Sequence, residues 1–130
     1  MELHTGMKGE ARTAVTETNT AAAMGSGLLP VFATPSMVAL MEQAACEAVA
    51  PAMAAGQGTV GTLLNVKHLA ASPVGDSIRA EAELVEVDGR RLVFRVSACD
   101  GSGPIGEGTH ERFVIQNEKF LAKANAKLKK

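Results

Sequence analysis

Hydrophobic and polar positions change their period along this chain, and the change separates one long helix from a series of strands. From Thr34 to Ala50 the apolar residues Met37, Val38, Leu40, Met41, Ala44, Ala45, Cys46, Ala48 and Val49 cover nearly the whole circumference of a helix. A helix apolar all round is a buried helix. Thr34 suits its N-cap and Pro35 its first position, where a missing N–H costs nothing. Pro51, Gly56 and Gly58 end the run.

Elsewhere the pattern alternates. A first strand is predicted within Ala11 to Thr20, rich in β-branched residues. Ala21 to Pro30 reads as a flexible connection, with Gly25, Ser26 and Gly27 ahead of Leu28 and Leu29. Thr59 to Leu69 places Val60, Thr62, Leu64, Val66 and His68 on one face and Gly61, Leu63, Asn65 and Lys67 on the other. Pro73 and Gly75 break that run. Ser77 to Val87 and Arg91 to Cys99 form a predicted antiparallel hairpin across Asp88-Gly89. Ile105 to Gln116 alternates again, and from Asn117 a short amphipathic helix carries Phe120, Leu121, Ala124 and Leu128 on one side.

The order is therefore strand, long helix, four strands, short helix. One helix apolar on nearly every face, among about five mostly antiparallel strands, is best buried by a curved sheet wrapped around it. The expected class is α+β, with residues 1–130 forming a single hotdog domain. A wrapped sheet leaves an edge strand, and pairing of edges across a two-fold axis is a common solution, so a homodimer is expected.

Composition narrows the possible functions. The 130 residues are 46% apolar, enough for one core, and Lys plus Arg number 13 against 14 Asp plus Glu. No global field draws such a chain onto nucleic acid or anionic lipid. Trp and Tyr are absent and only four Phe are present, which removes the stacking platforms of single-strand binders. Cys46 and Cys99 show no disulfide framework and read as reduced thiols. The first eleven residues lack the apolar core of a signal peptide, and no run approaches membrane-spanning length. A soluble cytoplasmic protein is expected, with neither nucleic acid nor membrane as partner.

Three residues stand out chemically. Glu42 is a carboxylate in the middle of an apolar helix, and burying it is expensive unless it is paired or hydrogen-bonded. It either reaches the surface, pairs with a basic residue or serves catalysis. Thr34 is explained by capping alone, yet a helix start also offers free N–H groups and a positive dipole end to a developing oxyanion. Eight positions separate Thr34 from Glu42, about two turns, so both project towards one side of the helix. His68 closes a strand face of Val60, Leu64 and Val66, where it is either a structural histidine or a proton-transfer group.

Other candidates carry less. His110, between Thr109 and Glu111, has no comparable apolar setting, and His4 is expected in a flexible tail. Histidines and cysteines are too scattered for a metal site, so none is expected. Gly101-Ser102-Gly103-Pro104-Ile105-Gly106 matches a dinucleotide pattern, but Pro104 and the β-branched residues after it deny it the required helix, leaving a turn. Lys119, Lys123 and Lys127 share one helical face, read as solvated.

Taken together, Val31-Phe32-Ala33-Thr34, Met37-Val38, Leu40-Met41-Glu42, Gly61-Thr62 through Val66 to His68, Gly89-Arg90-Arg91-Leu92, Gly108-Thr109-His110-Glu111-Arg112 and Glu118-Lys119-Phe120 resemble the fluoroacetyl-CoA thioesterase-like group of hotdog enzymes. The resemblance runs from the first strand to the last helix. It implies that the family's catalytic Thr, Glu and His fall on Thr34, Glu42 and His68, and its substrate-contacting Gly and Arg on Gly61 and Arg112. It also implies an acyl-CoA lying in a groove between subunits, with no cofactor beyond the coenzyme A of the substrate. Where the specialised fluoroacetyl enzyme carries a lid of Phe residues, this chain has Met24-Gly25-Ser26-Gly27-Leu28-Leu29, without an aromatic. Pro35 and Ser36 likewise replace a small residue and an aromatic.

The expected function is hydrolysis of a short- or medium-chain acyl-CoA by Thr34, Glu42 and His68 at the interface of a homodimer, or of a tetramer built from it. Two alternatives use the same fold: an acyl-CoA hydratase or dehydratase, and a non-catalytic acyl-CoA binding module.

Overall fold

A computed structural model describes residues 2–128. Its elements are β1 (Lys8–Ala14), α1 (Ala21–Met24), α2 (Thr34–Val49), β2 (Gln57–His68), β3 (Ser77–Asp88), β4 (Arg91–Asp100), β5 (Gly103–Gln116) and α3 (Asn117–Asn125), with 3-10 turns at Ala50–Ala52 and Ala126–Leu128. The five strands make one antiparallel sheet in the order β1-β3-β4-β5-β2. The sheet curves around α2, the expected arrangement. Among the described residues no helix is long and apolar enough to cross a membrane, and both cysteines are free thiols.

Helix α2 presses on the β1–β3–β4 part of the sheet. Met37, Leu40, Met41, Ala44, Ala45, Ala48 and Val49 are buried there against Ile78, Ala80, Ala82 and Leu84 of β3 and Leu92, Phe94, Val96 and Ala98 of β4. Alanines on both surfaces allow close approach, and the limit is reached at Gly9 of β1. A Cβ there would overlap the backbone of Ala44 and Ala48 on α2, so only glycine lets the helix sit this near the strand.

Five details depart from the sequence expectations. β1 starts at Lys8 and stops at Ala14 rather than spanning 11–20, because Asn19 folds the following residues into a side-chain-bonded turn. Its Oδ1 accepts from the Thr16 N–H at 2.9 Å and its Nδ2 donates to the Ala14 carbonyl at 2.9 Å. The connection 21–30 contains a helical turn, α1, whose N-cap Thr20 accepts from the Ala23 N–H at 3.2 Å and whose C-cap Gly25 has φ 73°.

Thr34 is not the cap of α2. Ala33 occupies that place, because bonds from Phe32 N–H to the Ser72 carbonyl and from Ala33 N–H to the Asn19 carbonyl hold the approach extended up to it. In β2 a register shift between Gly61 and Leu63 interrupts the alternation. Thr59 and Gly61 therefore turn towards the helix with Leu64, Val66 and His68, while Val60 lines the opposite surface beside Phe113 and Phe120. Finally, α2 is not covered all round by its own chain, since Val38 and Glu42 are half-buried and Cys46 is exposed. The apolar side of α3 and of the turn after it is also uncovered, with Phe120, Leu121 and Leu128 exposed.

Candidate active site

The residues singled out in the sequence fall into two groups along α2. At the helix start, Thr34 has no capping duty and its Oγ1 lies 2.7 Å from Nδ1 of His68, the last residue of β2. A hydroxyl and an imidazole at this distance are placed for proton transfer. Nε2 of His68 is buried without a hydrogen-bond partner among the described residues. Burial lowers the His68 pKa below the ordinary histidine value, opposed by the Ala70 carbonyl, so the ring is neutral at neutral pH and able to accept a proton.

Pro35 has no N–H, and among the described residues neither Thr34 nor Ser36 donates its N–H to a carbonyl outside the helix; the Met37 N–H is the first to bond back, to Ala33. Two donors at the positive end of α2 are thus free for an oxyanion. Beside them an open cleft of about 300 Å³ is lined by Ala21, Ser26, Val31, Phe32, Leu69, Ala70 and Ala71.

The second group is centred on Arg112 of β5. Its guanidinium is 7% exposed and donates in four directions: to Glu42 Oε2 at 2.9 Å, His110 Nε2 at 3.1 Å, Thr59 Oγ1 at 2.8 Å and the Thr59 carbonyl at 2.9 Å. Glu42 is therefore charge-paired, as a carboxylate in an apolar helix must be. Gly61 closes the group, since a Cβ there would stand 2.5 Å from Glu42 Oε2 and 3.3 Å from Arg112 NH1. Gly61 and Arg112 thus both contact the surroundings of Glu42.

His110, dismissed in the sequence, is fully buried. Its Nδ1–H donates to the Leu63 carbonyl at 2.8 Å, leaving Nε2 to accept from Arg112. Burial lowers its pKa, the Leu63 carbonyl opposes this, and Arg112 lowers it further against Glu42. The polar flanks Thr109 and Glu111 concealed this burial because they point to the outer surface; strict alternation with the buried Arg112 was the available signal.

Among the described residues no hydrogen bond joins the two groups. Thr34 and Glu42 do project to one side of α2, but eight residues of helix set them about 12 Å apart along the axis, beyond the reach of one reacting carbonyl. Among the described residues no group of three or more His, Cys, Asp or Glu is placed to hold a metal.

The sequence and the fold are similar to those of known proteins. The FlK family profile, described as fluoroacetyl-CoA-specific thioesterase, matches residues 15–118. A fluoroacetyl-CoA thioesterase of Streptantibioticus cattleyicolor is 54% identical over 97 residues, 75% of this chain and 70% of that protein. A crystal structure of the fluoroacetyl-CoA thioesterase FlK superposes with a TM-score of 0.92 at 41% identity, covering 98% of each chain. A thioesterase superfamily member of Thermus thermophilus superposes with a TM-score of 0.85 at 29% identity, covering 94% of this chain and 90% of its own. With a hotdog fold and a family match over most of its length, the chain belongs to the fluoroacetyl-CoA-specific thioesterase family of thioester hydrolases.

Proposed function

We propose that the chain hydrolyses short- or medium-chain, non-fluorinated acyl-CoAs in a site assembled from two subunits, with Thr34 and His68 from one and Glu42 from the other. The observation that carries this reading is the 2.7 Å Thr34–His68 contact at an uncapped helix start, two turns away from the only carboxylate of the candidate set. β2 supports the dimer. It is an edge strand of 12 residues with Leu63 and Leu64 exposed on it, a surface that a second copy would cover. A two-fold axis between those leucines sets His68 opposite Thr59 of the partner subunit. Thr59 holds Arg112, and Arg112 holds Glu42.

In this arrangement the thioester oxygen sits against the Thr34 and Ser36 N–H groups. Thr34 Oγ attacks the carbonyl carbon as its proton passes to His68 Nδ1, and collapse of the tetrahedral adduct breaks the C–S bond. The departing CoA thiolate takes the proton from His68. Glu42 of the partner subunit then deprotonates a water that attacks the Thr34 ester, and it returns that proton to Thr34 Oγ as the C–O bond breaks, releasing the acid and restoring the hydroxyl. Direct attack by the Glu42-activated water is the competing route, with Thr34 only orienting the carbonyl. Intact mass after rapid quench with a slow substrate separates them: an acyl adduct on Thr34 supports the first.

Chain-length preference follows from the cleft. Phe32, its one aromatic, is 1% exposed and faces the core, whereas Leu28 and Leu29, which precede the cleft residue Val31 in the chain, are 93% and 64% exposed. Discriminating one fluorine needs a closely fitted pocket, since small apolar contacts are worth only ~1–3 kcal/mol. The test is thiol release with acetyl-, fluoroacetyl-, butyryl-, hexanoyl- and phenylacetyl-CoA. Comparable or higher kcat/KM for the non-fluorinated substrates is expected; preference for fluoroacetyl- over acetyl-CoA above ~100-fold defeats the specificity claim. Crotonyl-CoA excludes hydration if thiol is released and the enoyl absorbance is not lost without it.

A further inference from the structure

We propose that His110 is a positioning residue for hydrolysis: held in one tautomer by the Leu63 carbonyl, it fixes the Glu42 carboxylate through Arg112. This rests on the reading of Glu42 as the catalytic carboxylate.

The geometry is a chain of hydrogen bonds from Leu63 through His110 and Arg112 to Glu42. Leu63 lies at the register shift that turns Gly61 and Thr59 towards α2, and its carbonyl takes the His110 Nδ1 proton. That bond fixes the tautomer, so Nε2 presents a lone pair and not a proton to Arg112. Arg112 has only donors, and its NH1 is the one nitrogen that reaches both His110 and Glu42. Without the Nε2 acceptor NH1 keeps Glu42 alone, and the guanidinium plane is held only at Thr59.

The ring cannot drift, because it is fully buried and lies 6.2 Å from the Phe94 ring, centroid to centroid. Any buried imidazole needs its N–H satisfied, and the Leu63 carbonyl does that; the contact that bears on Glu42 is the second one, from Nε2 to Arg112. Gly61 leaves the space into which Glu42 is steered, since any Cβ there would meet both Glu42 Oε2 and His110 Cε1.

The two ring nitrogens are separable by substitution. In His110→Asn the carboxamide nitrogen takes the place of Nδ1 and keeps the bond to Leu63 but offers Arg112 no acceptor; in His110→Gln the carbonyl oxygen reaches the place of Nε2. His110→Asn is expected to lower kcat ~10- to 50-fold with KM within ~3-fold, and His110→Gln to recover kcat to within ~3-fold of wild type. Equal losses in both, a loss confined to KM, or full kcat in His110→Asn overturns the proposal. If the Asn chain does not fold, His110→Met fills the ring's space without an acceptor and carries the same expected loss. Glu42→Gln in the same assay separates the two failures. Full turnover there defeats the reading of Glu42 itself, whereas an inactive Glu42→Gln beside an unimpaired His110→Asn defeats the positioning role alone.

Discussion

The concave face of the sheet has two halves that differ in what they bury. Against β1 and β3, α2 closes on alanines, leucines and methionines with no titratable group, so tightly that Gly9 admits no side chain. Against β5 and β2 the same surface carries His110, Arg112, Thr59 and His68, and Glu42 of α2 leans out to meet them. One half supplies folding energy through apolar burial. The other spends some of it on paired charges, whose net contribution to stability is small. A site on the second half is therefore held in place by the first, and substitutions in the two should have different signatures.

The largest contrast is in turnover. Glu42→Gln and His68→Ala should each lower kcat at least ~100-fold while the dimer persists, since general-base and nucleophilic roles are worth that much or more. Size-exclusion chromatography with a thiol-release assay checks both; if His68→Ala lowers only the melting temperature, the histidine is structural. Leu84→Ala on the closed half should do the reverse, costing ~2–5 kcal/mol of stability. Leu84 is fully buried, and kcat per folded molecule should stay within ~2-fold of wild type, as expected for a residue remote from the reacting atoms. Denaturant unfolding beside the activity assay reads both quantities.

Gly61→Ala sharpens the boundary between the halves. Its methyl would stand 2.5 Å from Glu42 Oε2, so kcat should fall by ~10-fold or more with a stability change under ~2 kcal/mol, because the obstacle is a movable side chain and not backbone. An unchanged kcat would show that Glu42 need not sit against Arg112.

The smallest effect is that of pH. Burial depresses the pKa of both His68 and His110. Both rings are thus neutral in the folded state at pH values where unfolded histidines begin to take up protons. Between the depressed values and the ordinary 6.5 the unfolded state binds more protons, so stability should rise with pH through that window and level off above it. On the proposed reading of His68 as the base, the acid limb of kcat/KM should lie below pH 6.5. A limb above that value would contradict a neutral, desolvated base.

The closed half was legible in the sequence because apolar burial leaves a period. The run from Met37 to Val49 announced α2, and the Asp88-Gly89 hairpin and the order of five strands followed from alternation and turn chemistry. The polar half was legible only in part. Glu42 stood out for its surroundings, but its partner Arg112 is 70 residues away in sequence and no local pattern couples them. The shift between Gly61 and Leu63 inverted the face assigned to Val60 and concealed Thr59, because a bulge cancels the period on which the assignment rests. Thr34 fitted a cap by its residue type, and only the long-range bonds of Phe32 and Ala33 moved the cap one residue back. The uncovered side of α2 was invisible for a different reason: a helix apolar all round does not say whether its own sheet or a second copy covers it.

That last ambiguity is resolved by subunit mixing. In a two-fold dimer whose site takes Thr34 and His68 from one protomer and Glu42 from the other, a Thr34→Ala and Glu42→Gln pair leaves one of the two sites with all its residues. Unfolding and refolding the two inactive variants together at equal concentration makes half the dimers mixed, each with one intact site, so thiol release should recover to about a quarter of the wild-type rate. A site contained within one protomer predicts no recovery at any mixing ratio, and a rate that stays at the level of the separate variants would contradict the shared site.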